Sequence, residues 1–294
     1  MRTGFIGLGA MGSSMARNLH RAGLLHGVWN RDAARAQQLA AELGCVAAPN
    51  AATLASECEV VVICVSADAD VLAVIASIAP DLKPGSIVID CTTAGADTAR
   101  AVAAQLAARR VDFLDAPVSG GVEGAAKGTL AIMVGGAAPV LERARPVLQA
   151  MGAIITHFGP HGAGQAAKAT NQIMVAGIIR ADAEALAFAA AQGLALDKVI
   201  ETLGRGAAAN WYLAQRGPFM ARGAYPPGFR IRLHLKDLKI CREMARAKGA
   251  ELPVVEAALH EYAQLIAAGH GDEDIAALFR LKAALFAVPK PDPP

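Results

Sequence analysis

Three glycines near the start of the chain have the spacing of a loop that binds a dinucleotide. Gly7 lies near the end of an apolar strand predicted over residues 3–8, and Gly9 and Gly12 lead from it directly into a helix predicted over residues 13–22. The first glycine allows a tight turn, the second lets the backbone approach a pyrophosphate, and the third lets the helix pack on the strand. N–H groups at the start of that helix would face the anion. The sequence therefore predicts dinucleotide binding.

The residues after the second predicted strand indicate which dinucleotide binds. Asn30 stands close to the position at which an NAD-binding unit usually has a carboxylate for the ribose hydroxyls. A carboxylate would repel a 2′-phosphate, whereas this neutral amide does not, and Arg31 can bind a phosphate with two hydrogen bonds. The alternative is that Asp32 binds the ribose and Arg31 is merely solvated. We expect NADP(H) as the cofactor, with NAD(H) as the alternative.

A lysine and two amides share one face of a helix predicted in the second half of the chain. Lys168, Asn171 and Gln172 are spaced i, i+3 and i+4. A hydride that reaches a carbonyl carbon leaves negative charge on the oxygen, which an ammonium group can stabilise while it donates a proton. Asn171 could hold the ammonium or the carbonyl in place. Catalysis is one interpretation of this lysine, and a solvated surface position is the other.

Two further clusters allow more than one interpretation. Ser119, Gly120 and Gly121 follow a predicted strand and could bind a substrate carboxylate through backbone N–H groups, or form an ordinary glycine turn. Lys236 and Asp237 could belong to an active site or simply cap the next helix, and the nearby His234 could be a core histidine. Residue types and spacing leave these alternatives open.

Strand and helix patterns alternate up to about residue 158. Continuous Val and Ile runs are typical of a parallel sheet covered on both faces, and the alternation predicts a doubly wound α/β domain. The predicted strands are 25–29, 60–65, 86–90, 112–115, 130–134 and 154–156, and the predicted helices are 33–43, 68–78, 94–109 and 138–151.

The second half of the chain is predicted to be helical. A breaker cluster at 159–162 ends the strand pattern, and one long helix is predicted over 164–192, apolar around much of its circumference and therefore buried by other helices. Further helices follow to about residue 286, with breaks at Gly204, Gly217-Pro218, 225–228 and Gly249. We predict a Rossmann-like α/β domain (1–162), an all-α domain built around one long helix (163–294), a cleft between them, and a frayed tail at 289–294.

Composition excludes several classes of function. The chain has 294 residues and a net charge of +2, without a basic run that would bind nucleic acid. It is 54% hydrophobic, yet it has no uninterrupted apolar run of about 18 residues, the length that would predict a transmembrane helix. His157 and His161 cannot be helical metal ligands because Gly159-Pro160 separates them. We expect a cytoplasmic protein that binds no membrane, nucleic acid or metal. We also expect a homodimer or homotetramer that forms through the long helix.

Taken together, the motifs resemble those of the β-hydroxyacid dehydrogenase family over nearly the whole chain. The matching segments occur in the family's order, at residues 4–12, 115–121, 124–136, 162–171 and 236–238. By this resemblance Lys168 is the catalytic lysine, Asn171 orients the substrate, and Ser119, Gly120 and Gly121 bind its carboxylate. Further residues are implied to bind or line the cofactor or to support the site: Met11, Val65, Ser66, Thr93, Lys236 and Asp237.

The pair Asn171-Gln172 and the segment 227–238 are most similar to the tartronate semialdehyde reductases within that family. The resemblance thus implies NADP(H)-dependent interconversion of a short 3-oxo acid and its 3-hydroxy acid. Alternative substrates are succinic semialdehyde, glyoxylate, 3-hydroxyisobutyrate and L-serine. An alternative of another class is a non-catalytic NADP-binding redox sensor.

Overall fold

The computed structural model describes residues 1–286, so the predicted tail at 289–294 lies outside the described part. The chain divides into two compact units, Met1–Lys168 and the residues from Ala169 onward. This division falls later than the boundary predicted at residue 162, and it lies inside one continuous helix, Ala163–Ala191.

Unit 1 contains a nine-stranded sheet in which most strands are parallel. The strands are β1 (Thr3–Ile6), β2 (Leu25–Trp29), β3 (Val46–Ala47), β4 (Val60–Ile63), β5 (Ile87–Asp90), β6 (Asp112–Asp115), β7 (Val118–Ser119), β8 (Leu130–Gly135) and β9 (Gly152–Gly159). Their order is β3-β2-β1-β4-β5-β6-β8-β7, with β9 paired to β8. The first six strands are parallel, and β8 runs antiparallel to β6 and β7.

Helices cover both faces of this sheet. They are α1 (Ala10–Arg21), α2 (Ala33–Leu43), α3 (Ala51–Glu57), α4 (Asp68–Ile78), α5 (Ala96–Ala107), α6 (Gly121–Lys127) and α7 (Ala138–Met151). In β4, Val60 and Val62 belong to one apolar cluster with α1, α2 and α7, while Val61 and Ile63 belong to a second with α3, α4 and α5. Side chains along a strand alternate between the faces, so the predicted doubly wound architecture is confirmed.

In the described residues of unit 2 the regular elements are helices, joined by turns and loops, and one isolated bridge pairs Arg230 with Asp274. Unit 2 continues α8 (Ala163–Ala191) and adds α9 (Leu196–Leu203), α10 (Trp211–Arg222), α11 (Ile231–Arg246), α12 (Pro253–Ala267), a 3-10 helix (Ile275–Leu278) and α13 (Phe279–Leu285). One apolar cluster forms its core around the buried side of α8. Met174 and Phe188 on the same helix are 61% and 53% exposed, so the expected burial of α8 on several sides is only partly met within the chain.

The predicted break at Gly217-Pro218 is wrong, because α10 continues through both residues. A Cβ atom on Gly217 would lie 3.2 Å from the Ile200 side chain, so the glycine permits close packing of α10 on α9. Packing between the helices outweighs the local preference for a break. No helix in the described part of the chain is long and apolar enough to cross a membrane.

Candidate active site

The glycine loop after β1 has the geometry of an anion-binding turn. Gly7 has a φ of +97°, and a Cβ atom there would lie 2.2 Å from the carbonyl oxygen of Cys64. A Cβ on Gly12 would lie 1.9 Å from the carbonyl oxygen of Gly7, whereas one on Gly9 would meet nothing within 4 Å. Helix α1 begins after Gly9 without a side-chain cap. The loop therefore has room for a pyrophosphate beside uncapped N–H groups.

Asn30 is part of the framework of this loop. Its Oδ1 accepts a hydrogen bond of 2.9 Å from the N–H of Leu8, and its Nδ2 donates to the carbonyl oxygen of Asp32 at 3.1 Å. Asp32 caps α2 by accepting from the N–H of Ala34 at 3.1 Å. Asn30 therefore fixes the end of β2 against the glycine loop, a contact that its position in the sequence does not reveal.

The side chain of Arg31 extends into solvent beside this loop. It is 86% exposed, and its Nη1 lies 3.2 Å from Oδ1 of Asp70 near the start of α4. An exposed ion pair of this kind is weak. The guanidinium group can therefore move to an incoming phosphate at little cost.

The residues predicted to line the cofactor site follow the ends of neighbouring parallel strands. Ile6, Ile63 and Asp90 are in register at the ends of β1, β4 and β5, so Val65, Ser66 and Thr93 lie at the same edge of the sheet as the glycine loop. In an open α/β sheet this carboxyl edge is where ligands bind. The N–H of Val65 donates to Oγ1 of Thr92 at 3.0 Å, which connects the two loops.

Asp90, which the sequence analysis did not single out, is buried at this edge. Its Oδ1 accepts from the N–H of Thr92 at 2.9 Å. Burial raises the pKa of this carboxyl to about 7, against the lowering effect of the hydrogen bonds from Thr92, and the nearby carboxylates of Asp115 and Asp68 raise it further. Asp90 therefore titrates in the neutral range, far above an exposed aspartate.

The Ser119–Gly121 segment forms the junction between β7 and α6. Gly120 and Gly121 have φ values of +128° and +66°, are exposed, and stand immediately before and at the start of α6. Ser119 is half-buried at the end of β7. Both glycines adopt backbone conformations that other residues rarely adopt, so the segment is a specific turn and its proposed carboxylate-binding role stays a prediction.

Lys168 is buried in the second turn of α8. The side chain is 7% exposed, so its interpretation as a solvated surface lysine is wrong. The same unit holds the glycine loop and the Ser119–Gly121 turn. Burial makes a charged ammonium costly unless polar groups meet it, and such a position suits a proton donor better than a surface role. Its catalytic role remains a prediction.

In unit 2 a chain of hydrogen bonds links the predicted residues of α8 and α11. Asn171 Nδ2 donates to Gln172 Oε1 at 2.7 Å, and Gln172 Nε2 donates to Asp237 Oδ2 at 2.6 Å. Nζ of Lys236 lies 2.9 Å from Asp237 Oδ1. The structure therefore brings together Asn171, Lys236 and Asp237. Gln172 is the member whose bridging role sequence reasoning missed.

Lys236, Asp237 and His234 all lie within α11. Lys236 and Asp237 lie inside Ile231–Arg246, so the view that they cap a helix is wrong. His234 is fully buried, with Nδ1 at 3.0 Å from the hydroxyl of Tyr262 and Nε2 at 3.2 Å from the carbonyl oxygen of Gln172. The interpretation of His234 as a core histidine is confirmed.

His157 and His161, which the sequence excludes as a helical pair of metal ligands, both hydrogen-bond to backbone oxygens. Nε2 of His157 lies 2.7 Å from the carbonyl oxygen of Gly136, and Nε2 of His161 lies 3.0 Å from that of Phe113. Within residues 1–286, no group of three or more potential ligands could hold a metal ion.

Comparisons with known proteins cover both units. Residues 2–159 match the family model for the NAD-binding domain of 6-phosphogluconate dehydrogenase, and residues 162–282 match that for the NAD-binding domain of NADP-dependent 3-hydroxyisobutyrate dehydrogenase. The chain is 37% identical to the NAD-dependent L-serine dehydrogenase of Pseudomonas aeruginosa, covering 94% of this chain and 96% of that protein.

Two further proteins support the same assignment. The 2-hydroxy-3-oxopropionate reductase of Escherichia coli is 37% identical, covering 86% of this chain and 87% of its own. The structure of Mycobacterium tuberculosis 3-hydroxyisobutyrate dehydrogenase with L-serine superposes with a TM-score of 0.87 at 34% identity, covering 96% of this chain and 99% of that one. The chain therefore belongs to the family of NAD(P)-dependent β-hydroxyacid dehydrogenases.

Proposed function

We propose that the protein is an NADP(H)-dependent oxidoreductase that interconverts a short 3-oxo acid and its 3-hydroxy acid. The proposed substrate pair is tartronate semialdehyde and D-glycerate. The observation that carries the proposal is the burial of Lys168 on the helix that begins in the same unit as the glycine loop. Since the family consists of enzymes, the alternative of a non-catalytic redox sensor is not retained.

The roles of the residues follow from the charge that the reaction develops. When bound, NADPH would supply the hydride that adds to the aldehyde carbon. Lys168 Nζ donates a proton to the aldehyde oxygen as negative charge builds there, and it recovers a proton from solvent afterwards. Ser119, Gly120 and Gly121 bind the substrate carboxylate, and Asn171 orients the substrate. In the oxidative direction Lys168 accepts the hydroxyl proton instead.

The surroundings of the predicted ribose site favour NADP(H) over NAD(H). Asp32 uses Oδ1 to cap α2, and Asn30 uses its amide within the loop. The exposed guanidinium of Arg31 can bind a 2′-phosphate with two hydrogen bonds. We propose that Gly7, Gly9, Met11 and Gly12 bind the pyrophosphate, and that Val65, Ser66, Thr93 and Lys236 line the rest of the cofactor site, with Asp237 supporting the substrate.

A second candidate substrate is L-serine. The Pseudomonas aeruginosa relative is named for L-serine, and the Mycobacterium tuberculosis structure was determined with it. L-serine carries an ammonium group where tartronate semialdehyde carries a neutral hydroxyl, so L-serine requires neutral or acidic groups beside the carbon next to the reacting one, and tartronate semialdehyde does not. Succinic semialdehyde, glyoxylate and 3-hydroxyisobutyrate remain further alternatives within the same chemistry.

A steady-state panel of these acids with each cofactor tests the proposal. We expect the highest kcat/KM for tartronate semialdehyde with NADPH. A higher value for L-serine with NADP⁺ or NAD⁺ would replace the proposed substrate, and the absence of turnover with every acid would contradict the proposed function.

We also propose that the chain forms a homodimer or homotetramer through the exposed side of α8. Met174 and Phe188 present large apolar side chains there, and such surfaces commonly mark interfaces. Light scattering of the purified protein tests this, and a monomer at micromolar concentration would contradict it.

A further inference from the structure

Gln165, in the first turn of α8, is a buried amide whose hydrogen bonds all connect to the carboxyl edge of the sheet. Its side chain is 1% exposed. Nε2 donates to the carbonyl oxygen of Thr92 at 2.7 Å, and Oε1 accepts from the N–H of Ala94 at 3.0 Å. Its own backbone N–H donates to Oδ2 of Asp115 at 3.0 Å. One residue thus contacts the loop after β5 and the end of β6.

The loop that Gln165 binds is connected in turn to the loop after β4. Thr92 accepts from the N–H of Val65 through Oγ1 at 3.0 Å, and its own N–H donates to Oδ1 of Asp90 at 2.9 Å. A continuous series of hydrogen bonds therefore runs from the loop after β4, through Thr92, to Gln165. These are the loops proposed above to line the cofactor site.

The start of α8 also has no space in which to shift against the sheet. A Cβ atom on Gly164 would lie 2.4 Å from the carbonyl oxygen of Met133 and 2.6 Å from that of Asp115. The buried carboxylate of Asp115 accepts from the N–H of Gly162 at 2.8 Å as well as from Gln165. The first turn of the helix is thus held by close packing and by hydrogen bonds from two directions.

Lys168 stands three residues after Gln165 on this helix. Three residues span about 4.5 Å of helix length and place the two side chains on neighbouring positions of one face. A buried amide that lost its hydrogen-bond partners would cost a large free energy of desolvation. Movement of the first turn away from Thr92 and Ala94 is therefore unfavourable, and these partners define one position of the turn. An apolar side chain of the same size would fill the space without defining that position.

We propose that Gln165 is a positioning residue for hydride transfer. It holds the start of the helix that carries Lys168 against the loop after β5 and, through Thr92, against the loop after β4. It thereby fixes the ammonium group relative to the carbon that receives the hydride. This inference rests on the proposed function, because it requires Lys168 to be the proton donor.

The variant Gln165→Met tests the inference, because methionine keeps the length and much of the volume of glutamine but removes both side-chain hydrogen bonds. The matched control is Gln149→Met, since Gln149 is exposed on α7. We expect the single-turnover rate of NADPH oxidation, per cofactor-binding site, to fall by about tenfold to a hundredfold. The KM values for NADPH and the acid should change by less than about threefold, and the control should match the wild type.

The variant Gln165→Glu provides a readout that a purely structural role would not move. Ionised glutamate still accepts from Ala94 but repels the carbonyl oxygen of Thr92, whereas the neutral acid can donate to it. We therefore expect the turnover of this variant, relative to the wild type, to recover as the pH falls. Four titratable groups are connected to this position in the wild type as well. Asp90 accepts from the N–H of Thr92, and Asp115 accepts from the backbone N–H of Gln165. His161 acts electrostatically on Asp115, and Lys168 stands three residues later on α8.

The outcomes separate the inference from the function on which it rests. A Gln165→Met protein that melts at a lower temperature but keeps the wild-type rate per cofactor-binding site would overturn the inference alone, as would a Gln165→Glu protein with the wild-type pH profile. If the wild type turns over none of the acids, the proposed function fails. If the wild type reduces the acid but Lys168→Ala reduces it equally fast, the role of Lys168 as proton donor fails, and the inference fails with it. If hydride transfer is slow in both the Lys168→Ala and the Gln165→Met proteins, the result supports the proposed function and the inference.

Discussion

Replacing Asp90 with asparagine should change how the stability of the protein depends on pH. In the folded state burial raises the pKa of Asp90 to about 7, from an ordinary value of 3.8. Between these values the folded state keeps a proton that the unfolded state has released, so the free energy of unfolding falls as the pH rises. The stabilisation of the folded state by the proton on Asp90 is complete below about pH 4 and is lost as the pH passes through about 7.

The size of the effect follows from the shift. A difference of about three pKa units at about 1.4 kcal/mol per unit corresponds to about 4 kcal/mol. Asparagine stays neutral at every pH, and its Oδ1 can still accept the hydrogen bond from Thr92, which is 2.9 Å long in the wild type. The variant and the wild type should therefore be similar in stability near pH 4, and the variant should gain about 4 kcal/mol relative to the wild type by pH 8.

Urea unfolding of both proteins at intervals from pH 4 to pH 8 measures this difference directly. Titrating groups that do not interact with Asp90 contribute equally to both proteins and cancel in the comparison. If the two stability curves run parallel across the whole range, Asp90 titrates at an ordinary pKa and the reasoning from its burial is refuted.

Three further substitutions test the cofactor loop. Arg31→Ala should raise the KM for NADPH about tenfold or more and leave that for NADH nearly unchanged, because only NADPH has the 2′-phosphate; equal effects on both in steady-state assays would refute the phosphate contact. Gly9→Ala should leave the melting temperature nearly unchanged but weaken NADPH binding by at least about tenfold in fluorescence titration, since its Cβ would enter open space; unaltered binding would count against pyrophosphate at this loop. Gly12→Ala should lower the melting temperature by several degrees, because its Cβ would lie 1.9 Å from the carbonyl oxygen of Gly7; an unchanged melting curve would contradict this packing.

The parts of the fold that depend on local patterns were predictable from the sequence. Helices α2, α4 and α7 have the predicted bounds, as do strands β2 and β6, because their apolar periodicity and flanking residues are sufficient to define them. The short elements β3, α3, β7 and α6 were not predicted. The antiparallel direction of β8 depends on which strand it pairs with, and no residue within Leu130–Gly135 specifies that partner.

Contacts that determine the roles of individual residues were harder to predict. The spacing of Lys168 left burial and solvation equally open, and only the folded unit shows the side chain to be buried. The sequence predicts that Asn30 contacts the ribose, but its side chain also holds the glycine loop through the N–H of Leu8. The hydrogen-bond partners of Asp115 and Gln165 are distant in sequence. The sequence signal for these contacts was only the placement of a polar residue: Asp115 at a strand end, and Gln165 in the first turn of a buried helix.

Single-turnover reduction of tartronate semialdehyde by NADPH in Lys168→Ala tests the central claim most directly. The matched control is Lys198→Ala, which removes an exposed lysine of α9. A proton donor contributes about a hundredfold or more to such a step, so the Lys168→Ala protein should bind NADPH with nearly wild-type affinity and transfer hydride at least about a hundredfold more slowly, while the control should match the wild type. Hydride transfer at the wild-type rate in Lys168→Ala would contradict the account.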